Sequence, residues 1–106
     1  MSVYVDDMYR AARVGGIRGR WSHLFADDSI ELTTFAEELG LKPGWIQHAG
    51  TIREHYDLTA SVRLAALRLG AVAIRYPHET GALIGARRAG VRFDLTAHRA
   101  ASRHVP

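Results

Sequence analysis

Apolar and polar positions divide the chain into short segments that stop at Asp, His or Gly. Val3-Tyr4-Val5 is a β-branched and aromatic run that predicts a strand, and it ends at Asp6-Asp7. Strand side chains alternate between faces, so Asp7 continues the Val3/Val5 face and Asp6 the Tyr4 face. Asp6 is therefore the candidate for a pocket, and Asp7 for a turn or network. From Met8 to Arg20 neither period is visible, and Gly15, Gly16 and Gly19 lie among Arg10, Arg13, Arg18 and Arg20. This stretch reads as a mobile arginine-rich loop. Trp21 to Ala26 predicts a second strand, with His23 between Trp21 and Phe25 on one face.

Helical spacing begins after Asp28. Leu32, Phe35, Ala36 and Leu39 form an amphipathic stripe, Asp28 with Glu31 resembles a capping box, and Gly40 supplies the C-terminal stop. Capping uses Asp28 and leaves Asp27 free for a site. Trp45-Ile46-Gln47 predicts a short third strand ending at His48. His55-Tyr56-Asp57 precedes a second helix from about Leu58 to Leu69, which carries Val62, Ala65, Ala66 and Leu69 at the same spacing. A fourth strand follows over Ala71–Tyr76, broken by Pro77, and then a short helix between Glu79 and Gly90. Residues 91–106 read as a basic, loosely packed tail. The order β-β-α-β-α-β predicts a small single-domain α/β sandwich over residues 1–90, with about four strands in a mainly parallel sheet. Ligands gather beyond the carboxyl ends of parallel strands, which would place Asp27, His48 and His78 on one edge. Asp6 joins them only if the first strand runs parallel to the rest.

Composition narrows the classes. A chain of 106 residues that is 47% hydrophobic and 24% charged fits one globular domain and argues against disorder. It has no cysteine, which excludes disulfides and thiolate-held metals. No apolar run approaches the roughly 20 residues that cross a bilayer, and no signal core follows the N-terminus. A soluble, cytoplasmic protein without a membrane partner is expected. The net charge of +3 comes from arginine, since Lys42 is the only lysine, and arginine forks suit phosphate or carboxylate. The excess is small for a protein that tracks nucleic acid, and no DNA-binding motif is present. An exposed edge strand leaves a homo-oligomer open.

With these residues in place the chain resembles domain-of-unknown-function family 4031, found in bacteria and their phages. The resemblance is carried by Val3-Tyr4-Val5-Asp6-Asp7, Arg20-Trp21-Ser22-His23-Leu24 with Ala26-Asp27, Glu31-Leu32, Phe35-Ala36, Leu39-Gly40-Leu41, Trp45 and Gln47. His55-Tyr56-Asp57, Arg63 and Gly70-Ala71 complete it, over roughly residues 2–76. It implies a small bacterial or phage accessory protein, interference with a nucleotide signal included, and it implies no particular chemistry.

Two functions follow from the residues. The first is a module that holds a small anionic, nucleotide-derived ligand. Arg18, Arg20 or Arg63 would grip phosphate, Trp21, Trp45 or Tyr56 would stack on a base, and Asp6 or Asp57 would accept from ribose hydroxyls. His23, Asp27 and His55 would complete the pocket. The alternative is a hydrolase of phosphoester bonds using Mg²⁺, Mn²⁺ or Zn²⁺, with Asp6, Asp27, His55 and Asp57 as ligands and His23 as base. His55 and Asp57 share a face only if the backbone between them is extended. The first is favoured narrowly, because arginines and aromatics lie beside the carboxylates and no His-Glu-x-x-His spacing occurs.

Overall fold

The computed structural model describes residues 2–103, and the sheet is built around its longest strand. The strands are β1 (Val3–Val5), β2 (Arg10–Val14), β3 (Ile17–Ala26), β4 (Tyr56–Thr59) and β5 (Val72–Ala73). The helices are α1 (Ser29–Glu38), α2 (Ala60–Arg68), α3 (His78–Ala89) and α4 (Leu95–Arg103), with a short 3₁₀ turn at Pro43–Trp45. β3 pairs antiparallel with β1, β2 and β4, whereas β5 pairs parallel with β1. Leu24 pairs with both Val5 and Tyr56, so β1 and β4 flank β3 on opposite sides.

The architecture is α/β, but the sheet is mixed rather than mainly parallel, and its order differs from the expected one. The cause lies in the arginine-rich segment. Gly15 and Gly16 take positive φ of 56° and 80°, which lets two residues reverse the chain. β2 then folds straight back on β3, with Arg13 opposite Arg18 and Val14 opposite Ile17. A hairpin return makes the second half of the pair antiparallel, where a mobile loop could have returned the chain in either direction.

Alternation along β1 and β3 separates two cores. Val3, Val5, Leu24 and Ala26 pack with Leu32 and Ala36 of α1 and Ala66 of α2. Tyr4 and Phe25 point the other way and pack with Ile74, Leu83 of α3 and Phe93. Helices therefore cover both faces, and the sheet is the middle layer. Asp28 caps α1 by accepting from the Glu31 amide at 2.7 Å, as the capping pattern predicted, although Glu31 Oε1 finds no partner in return. On α2 the packed positions are Val62, Ala66 and Leu67, while Leu69 is half exposed.

Three further expectations change. Trp45 lies in the 3₁₀ turn, and only Gln47 makes a strand-like bridge, to His55. The fourth predicted strand shrinks to Val72–Ala73. The expected tail holds buried Phe93 and helix α4, which Arg99 ties to Glu79 of α3 at 2.8 Å. Residues 104–106 of that tail lie outside the described residues.

Candidate functional site

β1 ends in a bulge. Between the pairs Val5–Leu24 and Arg10–Trp21 the first arm carries four residues, Asp6 to Tyr9, against only Ser22 and His23 on β3. Excess residues leave ladder groups unpaired, and those groups must be satisfied some other way. Arg63 reaches from α2 to donate Nε to the Asp6 carbonyl at 2.7 Å, and its other arm meets the Tyr9 hydroxyl at 2.7 Å. The Tyr9 amide donates to Ser22 Oγ at 3.2 Å, and Arg20 donates to the Tyr9 carbonyl at 3.3 Å. The Asp7 carboxylate accepts the Tyr76 amide at 2.7 Å, which makes Asp7 the network residue of the pair.

Asp6 is fully buried. One carboxylate oxygen accepts the His23 amide at 2.9 Å, and the other accepts His23 Nδ1 at 2.7 Å and Thr80 Oγ1 at 2.9 Å. Burial alone would raise the Asp6 pKa, but the bonds from His23 and Thr80 outweigh it and hold the carboxyl below its ordinary value. Burial likewise disfavours a charged His23, yet the Asp6 bond and the charges of Asp6 and Asp57 raise its pKa. Both directions describe one stabilised pair.

β4 brings the second half. Register places Asp57 opposite His23, and the extended backbone puts His55 on the same side two residues earlier. The His23 and His55 rings meet edge to face at 4.9 Å, and His55 Nε2 lies 3.3 Å from Asp57 Oδ1. His55 Nδ1 is 2.6 Å from the Arg53 carbonyl, which can only accept, so this nitrogen carries the proton. In the neutral ring Nε2 is then a lone pair facing a carboxylate. His23 repeats the arrangement, with Nδ1–H toward Asp6 and Nε2 left over. One ligand atom from each of His23, His55 and Asp57 lies within 4.8 Å of the others. A shared proton or a cation relieves such a convergence of acceptors. The side chains are 17%, 13% and 21% exposed, so the cluster remains open to solvent.

The expected site residues therefore sort into groups. His23, His55 and Asp57 converge, and Asp6 stands behind His23 rather than beside it as a ligand. Asp27 is elsewhere, because β3 is antiparallel to β1 and ends where β1 begins. Its carboxylate accepts the Ser2 amide at 2.7 Å and the Tyr4 hydroxyl at 3.0 Å. Arg63 and Arg20 brace the bulge, and Arg18 is exposed on the hairpin. Trp21 is buried with its indole N–H on the Ala12 carbonyl at 3.0 Å, and Tyr56 is buried among the α1 and α2 contacts. Two contributors were missed from the sequence. Thr80 is 74 residues from Asp6, and Arg87 of α3 donates to the Ile52 and Glu54 carbonyls at 3.1 and 3.0 Å, bracing the segment before His55.

Fold and cluster together define a small mixed α/β protein with two histidines and one carboxylate gathered between β3 and β4. Residues 3–88 match the family described as Protein of unknown function (DUF4031), and the chain belongs to that family. No curated protein and no solved structure matches the chain. Among the described residues no helix is long and apolar enough to cross a membrane.

Proposed function

We propose that the protein is a divalent-metal-dependent hydrolase of phosphoester bonds, with the ion held by His23 Nε2, His55 Nε2 and Asp57. The observation that carries this is the convergence of one ligand atom from each of His23, His55 and Asp57, with each histidine also bonded through Nδ1 to a neighbouring acceptor. Two imidazoles and a carboxylate suit Zn²⁺ or Mn²⁺ better than Mg²⁺, which prefers oxygen. Three protein ligands with partial exposure leave a position for water, as catalytic zinc sites do and closed structural sites do not. A bound ion there would lower the pKa of that water and shield phosphate charge. Asp6 and Thr80 fix the His23 ring, while the Arg53 carbonyl fixes His55.

Calorimetry with zinc chloride should give one site per chain, lost in His55→Ala and Asp57→Ala. Hydrolysis of bis(p-nitrophenyl) phosphate should require the ion and stop in chelator. Unchanged turnover in chelator, or no zinc or manganese binding by folded protein, would remove the proposal. A nucleotide bound tightly and recovered intact would instead support the ligand-holding function.

A further inference from the structure

A cavity of about 510 Å³ opens beside the cluster, and Asp57 lines it. We infer that this cavity seats a flat heteroaromatic ring, so that the phosphoester hydrolysed at the ion belongs to a nucleotide-like molecule. The inference rests on the metal-site proposal and names the substrate class for it.

Five observations support it. The volume falls in the range of roughly 300–1,000 Å³ common to small-molecule sites, and the walls are mostly apolar, including Trp21, Trp45, Leu41 and Val62. Gln47 and Thr59 add a few polar groups of the kind that orient a ring. Trp45 and Ile17 are 48% and 53% exposed, and both line this hollow. The hollow is also tied to the cluster: Gln47 and His55 exchange backbone hydrogen bonds at 2.8 and 3.1 Å. A ring held here would place its attached phosphate toward Asp57. Lys42 lies over the Trp45 ring at 5.5 Å and adds positive charge near the rim. The exposed Trp45 indole favours a planar group, because stacking tolerates any base but gives little to a sugar.

Trp21 and Trp45 are the chain's two tryptophans and both line the cavity, so intrinsic fluorescence reports on it directly. The zinc-loaded chain should show saturable quenching with adenosine and uridine monophosphate and much weaker binding of ribose 5-phosphate. Trp45→Ala removes an exposed side chain and should weaken nucleotide binding about tenfold while zinc affinity by calorimetry stays unchanged. Equal affinity for ribose 5-phosphate and the nucleotides would overturn the inference, as would wild-type nucleotide binding by Trp45→Ala. Either result with zinc binding intact leaves the metal site standing. Absence of zinc binding in the wild type would sink the metal site and with it the assignment of this substrate class.

Discussion

At the scale of residues, Asp6 governs the site without touching whatever binds there. Its two oxygens fix the His23 backbone, the His23 ring and Thr80 of α3, so one buried charge joins β1, β3 and the opposite helix layer. Asp6→Ala leaves those donors facing a hole and should cost about 3–5 kcal/mol in urea unfolding, the range for removing one member of a buried pair. Asp6→Asn keeps the shape and one acceptor oxygen, so the chain should stay folded while zinc affinity falls about 10–100-fold by calorimetry. An unchanged affinity would mean that the bond does not orient the ring. Strand alternation in the sequence already separated Asp6 from Asp7, because a two-residue period is a local property. Thr80 was invisible for the opposite reason: its role depends on how α3 docks, which no local pattern encodes.

At the scale of elements, Arg87 is the link between α3 and the segment that presents His55. Its guanidinium donates to the Ile52, Glu54 and Ala26 carbonyls and lies over the Phe25 ring at 5.4 Å. Arg87→Met keeps the apolar stem but strands three carbonyls, so about 3 kcal/mol of stability should be lost. Zinc affinity should drop with it, since the backbone before His55 loses its brace. A stability loss with no change in zinc affinity would confine Arg87 to packing. Elements with a strong intrinsic period, α1 above all, were legible in the sequence. The β2–β3 hairpin was not, because β2 is Arg-Ala-Ala-Arg-Val and its strand conformation comes from pairing with β3 rather than from propensity. β4 hid for a similar reason, since four residues between a turn and a helix show too little alternation to separate them from a cap. Missing β4 concealed the register that brings His23 opposite Asp57, and so concealed the cluster.

At the scale of the whole molecule, the sheet needs both helix layers, and the second layer is closed by α4. Arg99 makes two bonds to the Glu79 carboxylate, at 2.8 and 3.0 Å, and a third to the Ala73 carbonyl at 3.1 Å, so α4 grips α3 and the end of β5 together. Composition made this segment look like a solvated tail, because its apolar content is only Val91, Phe93, Leu95 and Val105 with alanines; one aromatic in the core and one buried acid dock it. The Glu79 pKa is held low chiefly by Arg99, against the cost of burial, with help from the Arg75 amide. A depressed carboxylate contributes stability that is fully present above its unfolded-state value and is lost as pH falls through the lower folded-state value. The docked α4 should therefore loosen in acid, below the ordinary glutamate range, and not near neutrality. Glu79→Gln should be less stable than wild type at pH 7 by about 1 kcal/mol, a modest figure because Arg99 is partly exposed and screened. As pH falls from 5 to 3 the two unfolding curves should converge, since wild-type Glu79 becomes neutral as well. His78, His98, Arg75 and Arg103 line the same α3–α4 pocket, and the charge of His98 also lowers the Glu79 pKa, so the gap between the curves reports the Glu79 carboxylate together with the charges that face it. A gap that persists unchanged to pH 3 would mean that the carboxylate charge does not hold α4 in place.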